Sequence, residues 1–158
     1  MPAGLLFALV VSVVAPVPGP VVQRFVAPAC DRCAGRRAVT IRSEPGHVVV
    51  APVSGVVTFA GTVAEHLFVS ILPASASASG STGRRVVVTV GWLAGIADGV
   101  TEGAGVVEGG RIGTAGESTR LSVRVNGVHV EPLRALGLGW SRLRGPGGVL
   151  VGRGALPR

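Results

Sequence analysis

Apolar and polar positions alternate along most of the chain in short runs that Gly, Pro and Ser separate. Valine dominates the apolar positions, and β-branched side chains favour strands over helices. The runs of strand length cover residues 38–41, 47–51, 56–59, 66–72, 85–90, 105–107, 121–125 and 128–130. Short, regularly spaced strands with turn residues between them predict an all-β domain, a sandwich or barrel of antiparallel sheets.

Two segments interrupt this strand pattern. Residues 73–83 (PASASASGSTG) are polar and of low complexity, which predicts a surface loop between two strands. Residues 131–137 predict a short helix with Pro132 at its first position. A chain of 158 residues suffices for one domain with tails, and we assign that domain to residues 16–138.

The two ends of the chain differ from this central domain. Residues 3–15 form an uninterrupted apolar run, too short to cross a bilayer as a helix but as long as a signal-peptide core. We therefore predict that residues 1–15 are a signal peptide of a secreted or cell-envelope protein; the alternative is a buried first strand. Residues 139–158 are rich in Arg and Gly and predict a disordered tail, either merely solvated or an electrostatic tether.

Charge narrows the choice of partners. The formal net charge is +7, all 15 basic residues are Arg and Lys is absent, a usage typical of high-GC bacteria. An excess of Arg favours acidic partners such as anionic wall polymers or phospholipid headgroups. The sequence has no basic stretch interleaved with aromatic residues and no DNA- or RNA-binding motif, so we expect no nucleic-acid partner.

The two cysteines, Cys30 and Cys33, form a C-x-x-C pattern. This spacing is found in half of a zinc ribbon, in redox pairs and in local disulfides. A ribbon needs a second pair, which the sequence lacks, and a thioredoxin-like pair begins a helix, whereas these cysteines lie in an Arg- and Gly-rich segment. In an exported protein the pattern predicts a disulfide, with free thiols as the alternative.

Three segments have the residue spacing of one known family. Residues 35–61 (GRRAVTIRSEPGHVVVAPVSGVVTFAG) are in step with G-H-x-G-x-D followed by P-x-G-x-x-V-x-A-x-x-x-G-x-V. Residues 97–116 (ADGVTEGAGVVEGGRIGTAG) match V-x-x-G-x-x-V-x-x-G-x-x-I-G. Residues 118–133 (STRLSVRVNGVHVEPL) are similar to a final strand that closes with x-D-P-x, with Glu131 in place of the Asp. Residues 16–136 thus resemble the lysostaphin-type (LytM-type) zinc endopeptidases of peptidoglycan.

This resemblance implies the family's fold, an antiparallel sandwich or half-barrel with one short C-terminal helix. Each glycine pattern alone is weak, because turns select glycine in any β fold, and the joint order of the segments carries the match. A biotinyl or lipoyl carrier domain shares the V-x-x-G-x-x-I pattern. Such a carrier needs a lysine to modify, and the chain has none.

The resemblance also implies where zinc would bind, and there the chain departs from the family. The family's enzymes hold zinc with H-x-x-x-D and with the second His of H-x-H, and they leave one position for the attacking water. The corresponding residues are Arg36 and Thr40, and Ser118 and Arg120. Trp92 corresponds to a further family histidine. Because guanidinium groups at ligand positions repel a dication, we expect neither zinc nor another cofactor.

Other kinds of catalytic site find little support in the sequence. His47, His66 and His129 form no H-x-H, H-E-x-x-H or H-x-x-x-D pattern, and we interpret them as histidines without a ligand role. Neither Ser54 nor Ser70 lies in the G-x-S-x-G elbow of a serine hydrolase. Enzymatic activity of these kinds is therefore not expected.

The favoured hypothesis is a catalytically inactive peptidase-like domain, a pseudoenzyme, that binds cell-wall peptidoglycan or regulates a wall hydrolase. The residues expected to line or flank its groove are Arg36, Arg37, Thr40, Trp92, Ser118, Arg120 and Arg124. Their guanidinium groups would pair with carboxylates of stem peptides. The alternatives are an active metalloendopeptidase with an unconventional metal site and a structural envelope domain. Membrane contact is expected only through an uncleaved N-terminus, and the oligomeric state is left open.

Overall fold

The computed structural model describes residues 14–74, 85–135, 139–141 and 149–151, the last two ranges by their backbone alone. Its elements are, in chain order, β1 (Val21–Gln23), β2 (Val39–Arg42), β3 (Val48–Val50), β4 (Gly55–Val63), β5 (His66–Pro73), β6 (Val86–Ile96), β7 (Gly105–Val106), β8 (Arg111–Val125), β9 (Val128–Val130), α1 (Pro132–Ala135), β10 (Gly139–Ser141) and β11 (Val149–Val151). No helix in these ranges is long and apolar enough to cross a bilayer.

Strands β1 to β9 form one antiparallel sheet, whose main order is β1-β2-β8-β6-β5-β4-β7. β8 organises the sheet, because β6 pairs along one of its edges and β3, β2 and β9 pair in succession along the other. The prediction of an all-β, antiparallel fold with one short helix near its C-terminal end is confirmed. β1 to β9 form one open sheet, and β10 and β11 form a separate two-stranded sheet.

Strands β6 and β8 are much longer than the runs 85–90 and 121–125 from which they were predicted. The sequence interpretation took the glycines beside these runs as turn residues, but they lie inside the strands. A Cβ atom at Gly91 would collide with the ring of Phe68, and one at Gly113 would collide with the backbone of β6. These glycines therefore permit neighbouring groups to approach closely, and each strand continues through them.

The hydrophobic core lies on one face of the sheet. Four adjacent strands contribute fully buried residues to it: Val39 and Ile41 in β2, Leu121 and Val123 in β8, Val88 and Val90 in β6, and Val69 and Ile71 in β5. Val17, Val49 and Ile112 pack into the same cluster. The alternation follows from the strand period of two residues, which sends every second side chain to the same face.

The residues between these core positions form the opposite, polar face. Thr40 of β2 lies opposite Arg120 of β8, and Arg120 lies opposite Gly91 of β6. Gly91 lies opposite Phe68 of β5. The next row along the strands consists of Ser122, Thr89 and Ser70. The core therefore fixes which polar side chains share one surface, because each of them is the sequence neighbour of a buried residue.

The segment from Val14 to Val17 is part of this fold. The Val14 N–H donates to the carbonyl of Pro52 at 3.1 Å, and the Pro16 carbonyl accepts from the Val50 N–H at 3.0 Å. The Val17 side chain is buried in the core. The predicted signal peptide, residues 1–15, otherwise lies outside the described residues, as does most of the predicted loop 73–83, and both stay predictions.

The C-terminal part differs in detail from its prediction. Helix α1 begins at Pro132, as expected, and its described residues run to Ala135. Within residues 139–158, where we predicted disorder, β10 and β11 pair in antiparallel fashion. The apolar run Val149–Val151, two of whose three residues are β-branched valines, favours this strand. The surrounding Arg and Gly residues led to the prediction of disorder. The rest of that segment lies outside the described residues, and its disorder stays a prediction.

Candidate ligand-binding site

The polar face holds a cavity of about 160 Å³ beside the centre of the sheet. Its lining residues are Arg37, Ala38, Phe68, Thr89, Gly91, Arg120, Ser122 and His129, and we call it the arginine cavity. Two guanidinium groups and one imidazole line it together with the hydroxyls of Thr89 and Ser122. No carboxylate is among these described lining residues, so the cavity is electropositive.

Arg120 is the most constrained cation of the cavity. Its guanidinium carbon lies 4.4 Å from the centroid of the Trp92 ring, a cation–π contact. Burial lowers the pKa of Arg120 from its ordinary value, but an arginine stays protonated in any protein. Its Nε atom is buried and has no hydrogen-bond partner among the described residues. The structure thus holds a partly desolvated positive charge that lacks an acceptor.

Trp92 contacts Arg120 from a position where the backbone of β6 is irregular. The pairing of β6 with β8 shifts register between Gly91 and Leu93, and Trp92 itself has a φ of +61°. A bulky residue rarely adopts this left-handed conformation, which costs on the order of 1–3 kcal/mol. On its other side Trp92 stacks on His66, with ring centroids 5.1 Å apart. The strained backbone therefore aims the indole at Arg120.

Arg37 joins the cavity to the loop that carries the two cysteines. Its Nη2 group donates to the carbonyl oxygen of Asp31 at 2.7 Å and to that of Cys33 at 3.4 Å. Cys30 and Cys33 are joined by a disulfide, and the Cys33 N–H donates to the Cys30 carbonyl. The closed loop therefore fixes one edge of the Arg37 guanidinium group.

His129 enters the cavity from β9. A two-residue turn, Asn126 and Gly127, both with positive φ, connects β8 to β9 and brings His129 opposite Arg124. Burial, and then the charges of Arg124 and Arg37, lower the pKa of His129. At neutral pH the imidazole is therefore uncharged and has one donor and one acceptor nitrogen.

A second, larger cavity of about 380 Å³ lies on the same face. Thr58, Phe59, Ser70, Arg85, Val87, Arg124 and Gly127 line it. It borders the arginine cavity where the Ser70 hydroxyl bonds to the Thr89 hydroxyl at 2.8 Å. Its described charged residues, Arg85 and Arg124, are again cations. The two cavities together form an electropositive groove across the polar face.

The structure brings together some of the residues predicted for the site. Thr40 and Arg120 lie side by side, and Trp92 contacts Arg120. Arg37 lines the arginine cavity, and Arg124 lines the second cavity. These residues belong to β2, β6, β8 and the segment before β2. The register of the sheet brings them to the same surface.

Two predicted residues lie apart from both cavities. Arg36 is exposed, and its backbone pairs with Val26 in an isolated bridge before β2 begins. Ser118 lies opposite Arg42 and lines neither of the two cavities. The backbone between Arg36 and β2 is irregular, so strand alternation alone does not tell which arginine of the pair faces the groove.

The donor set around these positions does not fit zinc. Zinc in proteins is held by Cys, His, Asp or Glu, and the described residues contain no group of three such side chains. Thr40 directs its Oγ1 at Gln23 Oε1, 3.4 Å away, and its neighbour Arg120 is a cation. A dication placed here would meet positive charge without an anionic ligand.

Solved structures of other proteins share this fold. Csd3 of Helicobacter pylori is 18% identical, with a TM-score of 0.60 over 85% of this chain and 38% of Csd3. Lysostaphin is 15% identical, with a TM-score of 0.57 over 83% of this chain and 63% of lysostaphin. A chain of the SpoIIIAH–SpoIIQ complex is 18% identical, with a TM-score of 0.56 over 78% of this chain and 99% of that chain. No protein-family model and no curated protein matches.

The chain therefore has the fold of the lysostaphin-type peptidases, and the resemblance found in the sequence is confirmed at that level. At these identities the likeness concerns the fold alone. The chain spans 38% of the length of Csd3 and 63% of the length of lysostaphin. The class defined by fold and site is a peptidase-like β domain with an arginine cavity on its polar face.

Proposed function

We propose that the protein is a catalytically inactive, peptidase-like domain of the cell envelope that binds peptidoglycan through its electropositive groove. The observation that carries this proposal is Arg120, which stands opposite Thr40 in the sheet. The resemblance seen in the sequence implies that these are two of the positions at which the family's enzymes hold zinc. A guanidinium group there recruits anions instead of a metal, and it pairs with carboxylates in two-point geometry.

The groove as a whole supports an extended anionic ligand. The described charged residues of its two cavities are Arg37, Arg85, Arg120 and Arg124, without a carboxylate. Such a cleft attracts polymers that carry negative charge along their length. Stem peptides of peptidoglycan carry carboxylates, and the structural similarity to lysostaphin supports this choice of polymer.

Sedimentation with insoluble peptidoglycan tests the proposal. The variant Arg37→Ala with Arg120→Ala removes two cations from the arginine cavity and is expected to lower retention at least about tenfold, because charge-assisted hydrogen bonds are lost. The matched control is Arg36→Ala with Arg42→Ala, which removes the same charge from exposed residues outside both cavities. This control is expected to keep most of the wild-type retention.

The charge-matched pair separates a specific site from general attraction between a basic protein and an acidic polymer. Equal losses in both double variants would assign the binding to net charge and contradict the proposal. Retention of the cavity variant at the wild-type level would contradict it as well. Circular dichroism spectra of both variants show whether the sheet is intact.

A second candidate function is docking on another envelope protein, such as a wall hydrolase. Along β4, Val56, Phe59 and Val63 are 45%, 38% and 51% exposed, and Val107 is 71% exposed. A contiguous patch of exposed apolar side chains marks a protein interface, and one chain of the SpoIIIAH–SpoIIQ complex has a similar fold. Photo-crosslinking in cells from Val63, with exposed Arg111 as the control position, is expected to trap a hydrolase from Val63 only.

A further inference from the structure

The arginine cavity is lined by an arginine that has an unpaired hydrogen-bond donor. The Nε atom of Arg120 is buried without a partner in the described part of the chain. The cation–π contact with Trp92 holds the side chain and does not satisfy this N–H group. A buried donor left unpaired costs about 1–3 kcal/mol, and more when it is charged. Nε itself is closed to solvent, so an anionic ligand meets the Arg120 guanidinium group through the atoms that line the cavity and offsets its desolvation there.

Arg37 supplies the second set of donors. A guanidinium group has five N–H donors in a fixed plane. The carbonyls of Asp31 and Cys33 accept from Nη2 alone, which leaves the donors on Nη1 and Nε to a ligand. Because the disulfide loop holds Nη2, the remaining edge of the group is oriented before a ligand arrives, and preorganisation of this kind favours binding.

The rest of the lining limits the chemistry of the ligand. The ring of Phe68 lies over Gly91, and Ala38 adds a methyl group. These groups form an apolar wall beside the two guanidinium groups. A volume of about 160 Å³ is below the 300–1,000 Å³ range of sites for drug-sized ligands. The cavity thus suits a small anionic group attached to a few carbon atoms.

We propose that the arginine cavity binds one carboxylate carried on a short alkyl group, with the carboxylate between Arg37 and Arg120 and the alkyl group against Phe68. The planar guanidinium fork matches the two oxygens of a carboxylate. An inorganic phosphate lacks a carbon group for the Phe68 wall. This inference rests on the proposed function and names the chemical group that peptidoglycan presents to the site.

Two sources supply such a group, the C-terminal carboxylate of a peptide and an acidic side chain within one. NMR titration of the full chain distinguishes them with two probes, N-acetyl-dialanine with a free terminal carboxylate and N-acetyl-glutamic acid α-amide. At least one of them is expected to shift the Nε–H signal of Arg120 and the indole N–H signal of Trp92. The probe with the lower Kd identifies the source.

Controls on the probe and on the protein keep the inference falsifiable. The carboxamide of N-acetyl-dialanine is expected to bind at least about tenfold more weakly than the acid, since it has lost its charge. Arg120→Lys keeps the charge but not the fork and is expected to weaken binding about tenfold, whereas Arg36→Lys leaves the Kd unchanged. Inorganic phosphate that binds as tightly as the better peptide overturns the inference, and so does an Arg120→Lys variant with the wild-type Kd.

The titration also separates this inference from the proposed function. If the wild type sediments with peptidoglycan and binds neither peptide probe, the carboxylate assignment is wrong and the proposed function stands. If a probe binds at Arg120 but peptidoglycan retains no protein, the proposed function is wrong and the carboxylate site stands. Binding in both experiments, each lost with Arg120, supports both.

Discussion

The two faces of the sheet contrast in what their residues contribute. On the core face, β2, β8, β6 and β5 present Val, Ile and Leu side chains without accessible surface. On the polar face, the same strands present a partly desolvated arginine, a left-handed tryptophan and a glycine under a phenyl ring. Adjacent residues of one strand therefore have different roles: those on the core face stabilise the fold, and those on the polar face are available to bind a ligand.

The polar face carries features that lower stability. An unpaired buried donor and a strained backbone each cost free energy. Arg120 and Trp92 show these two features next to each other, whereas the core face gains free energy from each buried side chain. Local costs of this kind cluster at binding sites, where a ligand compensates for them. The contrast supports a ligand role for the polar face.

Adjacent residues of β8 provide the largest expected contrast. Leu121→Ala removes a fully buried side chain and is expected to lower the free energy of unfolding by about 2–5 kcal/mol. Ser122→Ala changes the next residue, on the polar face, and is expected to stay within about 0.5 kcal/mol of wild type. Urea unfolding measures both. Similar losses in the two variants would contradict the division between the faces.

A substitution at Gly91 is expected to affect both the stability of the sheet and the arginine cavity. Gly91→Ala places a methyl group against the Phe68 ring, and overpacking of this kind is expected to cost about 1–3 kcal/mol. The displaced ring also removes the apolar wall of the cavity, so carboxylate probes should bind more weakly. Gly105→Ala is the control, since a Cβ there meets no atom within 4 Å. An unchanged Kd in Gly91→Ala would contradict the role of Phe68.

Arg120→Met separates stability from binding at one position. The unbranched Met side chain keeps apolar contact with Trp92 while the desolvated charge is removed. Stability is expected to stay within about 1 kcal/mol of wild type or to rise, because a partly desolvated charge without an acceptor is removed. Carboxylate binding is expected to disappear. A variant that is strongly destabilised would show that Arg120 serves the fold rather than a ligand.

His129 gives the smallest expected effect. Its folded-state pKa is lowered, mainly by burial, so the unfolded chain takes up the proton first as the pH falls. The contribution of the neutral imidazole to stability is complete above about pH 6.5, the unfolded value, and decreases as the pH falls through it. Wild type should therefore lose more stability than His129→Gln between about pH 7.5 and pH 5.5. Identical pH dependence in urea unfolding would contradict this assignment.

Much of the fold follows from local sequence patterns. Strand β9 has the predicted bounds, and β2, β3 and β5 differ from theirs by a residue or two. The N-terminal ten residues of β8 were missed because Gly113 and Gly116 resemble turn residues, although they lie inside the strand. Whether a glycine makes a turn or permits a close approach depends on the neighbouring strand, which local patterns do not show.

The sequence predicted neighbouring site residues only where the family's residue spacing indicates which positions lie side by side in the sheet. That pattern aligned Thr40 with Arg120, and the sheet places them side by side. It did not distinguish Arg36 from Arg37, because the backbone before β2 is irregular. It also missed His129, although the Asn126-Gly127 turn is a strong hairpin signal that pairs His129 with Arg124.

The central claim is that arginine side chains, and not a metal, form the binding site of this lysostaphin-type fold. Sedimentation with peptidoglycan in the presence and absence of EDTA tests it most directly, with wild type and the Arg37→Ala, Arg120→Ala variant side by side. We predict that wild type sediments equally with and without EDTA and that the variant stays in solution. Release of wild type by EDTA, or undiminished sedimentation of the variant, would contradict the claim.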